Sequence, residues 1–106
     1  MSLNITSTNI LNKVASALVA TQKYPSMEDA LWELALTAVR NKVAYYQRRI
    51  RRLERKHATD FDTFTHRLEG QATPAEEDDW LAWRSARSML TDWQLAYQEL
   101  RDERPH

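Results

Sequence analysis

Between Met27 and His57 no glycine or proline interrupts the chain, and its apolar residues recur at helical spacing. Trp32, Leu36, Val39, Val43, Tyr46, Ile50 and Leu53 step by 4, 3, 4, 3, 4 and 3. That alternation places all seven on one stripe of an α-helix, the seam along which a second helix packs. Ser26 stands where an N-cap is needed. Asp29 falls at the third helical position, where a carboxylate meets the positive end of the helix. The spacing predicts a helix over 27–57, about 45 Å long.

A second seam matches the first. Trp83, Ala86, Leu90, Trp93, Tyr97 and Leu100 step by 3, 4, 3, 4 and 3, with Trp80 and Met89 beside them. Thr73-Pro74-Ala75-Glu76 combines a capping box with proline at the first helical position, so a helix is predicted over 74–102. Between the two, Thr59 or Asp60 caps a short helix over 60–69. Phe61, Phe64 and Leu68 share its face, and Gly70 is its left-handed stop. Ahead of them Ile10, Leu11, Val14, Leu18 and Val19 predict a helix over 7–22, ended by Tyr24-Pro25. The expected fold is all-α and a single domain over 1–106. It is a long antiparallel, coiled-coil-like hairpin with an additional N-terminal helix that covers part of the groove. Arg104 to His106 are expected to fray.

Composition enters as a set of exclusions. At 106 residues the chain has room for one domain. It has no cysteine, which removes disulfides, thiolate metal sites and cysteine nucleophiles. A single glycine removes Gly-rich phosphate loops. The longest apolar stretch, near Val14 to Ala20, is too short for a bilayer, and no basic region precedes an apolar block at the start. A cytoplasmic protein is expected.

The 15 basic and 15 acidic side chains cancel overall but are unevenly placed. Residues 1–58 carry 10 basic and 4 acidic side chains, net +6; residues 59–106 carry 5 and 11, net −6. In an antiparallel hairpin the run Arg48, Arg49, Arg51, Arg52, Arg55 and Lys56 lies beside Glu76, Glu77, Asp78 and Asp79. The first reading of that run is therefore a charge-paired helix end. The second is a nucleic-acid contact, since six cations in nine positions after Tyr45 and Tyr46 suit a phosphate backbone. The third is a contact with a partner's acidic surface.

Four tryptophans and four tyrosines exceed what a two-helix hairpin keeps dry. The aromatic seam (Trp32, Tyr46, Trp83, Trp93, Tyr97) reads first as core or as the interface of a homodimeric four-helix bundle. It reads second as the anchor for a different protein partner.

Candidate chemistry is sparse. Glu54-Arg55-Lys56-His57 gives one Glu-x-x-His pair. A di-iron bundle needs two such pairs and two further glutamates, so Glu54 reads as a solvated side chain and His57 as a helix-terminal one. The Glu76–Asp79 cluster suits a helix N-terminus as it stands. His66 reads as a surface residue. No Ser/His/Asp order and no His-x-x-x-His pair occurs, so no catalytic residue, metal or cofactor is expected.

Residues 50–101 also carry a resemblance. An Arg-rich helix end is followed by Lys56-His57-Ala58-Thr59-Asp60-Phe61-Asp62-Thr63-Phe64, then Arg67-Leu68, then Glu76-Glu77-Asp78-Asp79-Trp80 and Trp83. The short Phe-x-x-Phe helix with a following leucine, and the acidic helix start with Trp80 and Trp83, resemble small bacterial and archaeal antitoxins of toxin–antitoxin pairs. The match covers about half the chain, and residues 1–25 lie outside it. The resemblance implies a non-catalytic partner that binds and silences a toxin encoded beside it. On that reading Arg48, Arg49, Arg52, Trp80 and Trp83 contact the partner.

Overall fold

The computed structural model describes residues 5–21 and 24–104, with side-chain surroundings from residue 9 onward. Four helices make up the fold, and no strand occurs among the described residues: α1 (Ile5–Ala20), α2 (Met27–His57), α3 (Phe61–Leu68) and α4 (Pro74–Glu103). The expected end of the first helix at Gln22 falls outside the described residues. The all-α architecture read from the seams stands.

Each start follows from its cap. Ser26 Oγ accepts from the Asp29 amide at 3.1 Å and donates to the Asp29 carboxylate at 3.0 Å. Asp60 rather than Thr59 caps α3, its carboxylate accepting from the Thr63 amide at 2.8 Å. At α4 the capping box closes in both directions. The Glu76 amide donates to Thr73 Oγ1 at 3.2 Å, and the Thr73 amide donates to Glu76 Oε1 at 2.9 Å. The stops need left-handed backbone. Gly70 adopts φ 72°, in a turn closed by the Gln71 amide donating to the Leu68 carbonyl at 3.1 Å. Ala58, with φ 54°, does the same work at the end of α2, where its amide and that of Thr59 both donate to the Glu54 carbonyl. Alanine gives a usable αL stop at a steric cost that glycine escapes.

Helices α2 and α4 pack along each other, α1 lies against α2, and α3 lies against α4. The result is elongated, with principal extents of 59 × 31 × 21 Å. Ion pairs at both ends fix the antiparallel sense. Lys56 at the end of α2 meets Asp79 at the start of α4 at 2.7 Å. Arg104, just past α4, bonds Glu33 and Asp29 at the start of α2. Arg104 was expected to fray; its guanidinium instead reaches back across the open end of the hairpin. Pro105 and His106 lie outside the described residues.

The core sits along the seam and at the α3 corner. Ala30, Leu36, Val39, Phe64, Trp83 and Ala86 are buried, together with Ala15 of α1. Most other seam residues are half-buried, as two helices alone would leave them. Helix α1 departs from expectation in how it lies. Ala15 is fully buried against α2 and Leu18 and Val19 are half-buried, but Leu11 is 52% exposed. Residues four apart differ by only about 40° around a helix, so Leu11 points almost the same way as Ala15. Its exposure means that α1 tilts off α2 toward its own start. Ile10 and Val14 are exposed with it, and the apolar side of α1 does not close the groove.

Candidate functional site

Two regions of the hairpin gather the side chains that the sequence singles out. The first is the corner where α2 ends, α3 crosses and α4 begins. Trp83 lies at its centre, 1% exposed. Around its ring are Phe64 at 5.4 Å, Phe61 at 5.6 Å and His57 at 6.2 Å between centroids. His57 also stacks on Phe64 at 4.1 Å. This corrects one expectation. Trp83 has no face left for a partner, because α3 folds its two phenylalanines over the indole; it is core. His57 ends α2, as expected, and its ring also joins the same aromatic stack.

One carboxylate orders the corner. Asp79 Oδ2 accepts from Lys56 Nζ at 2.7 Å and from His57 Nε2 at 2.8 Å. A carboxylate only accepts, so His57 carries its proton on Nε2. The Lys56 hydrogen bond first, and that of His57 after it, hold the Asp79 carboxyl below the usual carboxylate range, while partial burial pushes the other way. Capping does the same nearby: the Thr63 amide lowers Asp60, and the Thr73 amide lowers Glu76.

Trp80 stands at the rim of this corner, half-buried. Its Nε1 donates to Thr65 Oγ1 at 2.9 Å, its ring stacks on Phe61 at 5.9 Å, and Arg84 lies over it at 5.0 Å from the centroid. It shares a shallow cleft of about 170 Å³ with Leu68, Ala72 and Glu77. Of the two tryptophans expected at a partner contact, Trp80 alone keeps exposed surface.

The second region is the basic run of α2. Only Lys56 and the neighbouring His57 find the acidic start of α4. Arg48, Arg49, Arg51, Arg52 and Arg55 have no carboxylate within ion-pair distance among the described residues. The reading of the run as a charge-paired helix end therefore holds for one cation of six. The physical reason is reach: the facing stretch of α4, residues 80–91, carries no acid at all. Arg49, Arg52 and Lys56 line one groove of about 220 Å³ with Leu53, Asp79 and Ala82. Tyr45, 44% exposed, precedes them, its hydroxyl 3.4 Å from Arg49 Nη1.

No group of three or more His, Asp or Glu side chains able to hold a metal occurs among the described residues. Glu54 points into a separate groove of about 310 Å³ with Asp60, Asp62 and Arg87, over a floor of Ile50, Phe61, Trp83 and Leu90. Asp60 is occupied there by its cap, and Arg87 by Asp62 at 3.8 Å and the Phe61 ring at 4.5 Å. No described helix is long and apolar enough to cross a membrane. Three features escaped the sequence reading. The His57–Asp79 contact joins residues 22 apart. The Arg104 clasp joins residues more than 70 apart. The uncovered apolar stripe formed by Met27, Leu31 and Leu34 lies off the seam. For the stripe alone a signal existed, the 4 and 3 spacing of those residues beside the main seam. No family profile, curated protein or solved structure matches the chain.

Proposed function

We propose that the chain is a non-catalytic protein–protein interaction module of the cytoplasm, an antitoxin-like inhibitor that binds a cognate toxin. The observation that carries this reading is the uncovered apolar surface of α1 and the first turns of α2. Ile10, Leu11, Val14, Met27, Leu31 and Leu34 are all exposed there. Large apolar side chains on two adjoining helices gain about 25 cal/mol per Å² when covered, and a partner's amphipathic helix or apolar ridge provides that cover. Arg48 lies about 21 Å further along α2 than Leu34. A partner that spans α2 therefore meets Arg48, Arg49 and Arg52 as a charged limb that fixes orientation, with Trp80 beyond them.

Growth of a host expressing the adjacent gene, with and without this chain, tests the proposal. The expected result is an arrest that the chain relieves. Joint replacement Leu31→Asp and Leu34→Asp should end the relief while helix content by circular dichroism is kept. A harmless neighbour, or an arrest that the chain leaves untouched, refutes the antitoxin reading. A dimer by light scattering that the same pair of substitutions splits, without any effect of a neighbour, assigns the stripe to a second copy. The chain would then be a homodimeric structural protein.

A further inference from the structure

Apart from Lys56, the basic run of α2 has no carboxylate within ion-pair distance among the described residues, and the fold supplies no reason for so many cations. Between residues 40 and 56 this helix carries eight cations and one acid, Glu54. Arg48 and Arg52, Arg51 and Arg55, and Arg52 and Lys56 are like-charged neighbours four residues apart, an arrangement that weakens a helix. The negative end of the helix dipole favours cations only within the last turn, where Arg55, Lys56 and His57 stand. It offers nothing to Arg48, Arg49, Arg51 or Arg52. A chain that needed only a stable hairpin would gain from acids at some of these places.

The surroundings point to a particular kind of anion. Tyr45, Arg49, Arg52 and Lys56 fall at i, i+4, i+7 and i+11, on one stripe about 16 Å long. Three of the four line the groove between α2 and α4. The aromatic at the head of the stripe is exposed, braced edge-on by Tyr46 at 4.9 Å, with the Arg49 guanidinium 5.7 Å from its centroid. All four cations of the run ahead of Arg55 and Lys56, namely Arg48, Arg49, Arg51 and Arg52, are arginines, whose planar forks suit phosphate oxygens. An acidic protein surface has use for the arginines but none for a braced, exposed ring beside them. A single nucleic-acid strand uses both, phosphates along the cations and a base against the ring.

We propose that this stripe is a binding site for single-stranded nucleic acid, with Arg49 and Arg52 along the phosphates, Tyr45 as the platform for one base, and Lys56, held by Asp79, closing the far end of the groove. The site shares Arg49 and Arg52 with the partner footprint proposed above but none of the apolar stripe of α1 and α2, and it stands or falls without that stripe.

Fluorescence anisotropy of the full chain with oligo(U) and oligo(dT) of about 20 nucleotides tests the proposal, repeated between roughly 50 and 200 mM salt. A duplex of equal length and poly-glutamate serve as competitors. The expected result is binding that weakens with salt, and a logarithmic salt slope reduced by about 0.7 for each cation removed in Arg49→Gln and Arg52→Gln. Tyr45→Ala should lose at least about fivefold with the salt slope unchanged, and Tyr45→Phe should keep the affinity. Arg101→Gln, a cation at the far end of α4, should behave as the unaltered protein. Circular dichroism reads the fold of each variant. Absence of binding at the lowest salt overturns the proposal. So does competition by poly-glutamate as strong as by the oligonucleotides, which assigns the stripe to an acidic protein surface. Tighter binding to the duplex, with no loss in Tyr45→Ala, overturns the single-strand assignment.

Discussion

Ala58 and Gly70 occupy the same left-handed region with opposite consequences. Ala58 ends α2 at φ 54°, where a β-carbon costs about 1 kcal/mol or more. Gly70 sits at φ 72° in open space, so no neighbour would oppose an added methyl and only the backbone would. Ala58→Gly should therefore stabilise the fold by up to about 1 kcal/mol in urea unfolding, and Gly70→Ala should destabilise it by about 1 kcal/mol. A loss in Ala58→Gly would show that the methyl makes a contact worth more than its strain. Asp79 sets the acid behaviour. Its folded pKa is depressed, as are those of Asp60 and Glu76. Each therefore contributes stability that is complete above about pH 4 and is lost as pH falls through the depressed folded value. Melting temperature should stay flat from about pH 7 to 5 and fall below about pH 4. Asp79→Asn should lower the neutral plateau and flatten the acid limb. An acid limb identical in the variant would remove Asp79 from this account.

At the scale of elements, the termini of α2, α3 and α4 are set within three or four residues of each end. Thr73→Ala removes the Thr73 Oγ1 half of the capping box that opens α4, while the backbone amide at that position can still donate to Glu76; it should cost about 1 kcal/mol, read as a lower urea midpoint at constant slope. Because these signals are local, they were legible in sequence: the bounds of α2 and the start of α4 match the expected ones residue for residue. Helix α1 was legible as a helix but not in its attitude. Its apolar positions repeat at helical spacing whether or not α2 lies under all of them. Only the packing against α2, which buries Ala15 and leaves Ile10, Leu11 and Val14 exposed, decides that the first turns stand away.

For the molecule as a whole, stability concentrates in the corner. Trp83→Ala should cost about 3–5 kcal/mol, a large share of what a domain of this size has, and helicity should fall with it. Trp80→Ala removes a half-buried ring and one hydrogen bond, and should cost clearly less. Equal losses in the two variants, measured by urea unfolding, would contradict the division between core and rim drawn here. The sequence by itself determined four helices, their caps, two matched seams and the antiparallel sense implied by opposite charge. Periodicity and capping act over a few residues and are written in order along the chain. Tertiary structure decided which tryptophan is core and which is rim, that His57 joins an aromatic stack, that Arg104 clasps the open end, and that five arginines find no acid among the described residues. Burial and ion pairing depend on what a distant segment places in the same volume. Here α3 places its phenylalanines over Trp83, and the facing stretch of α4 places no carboxylate before the arginines.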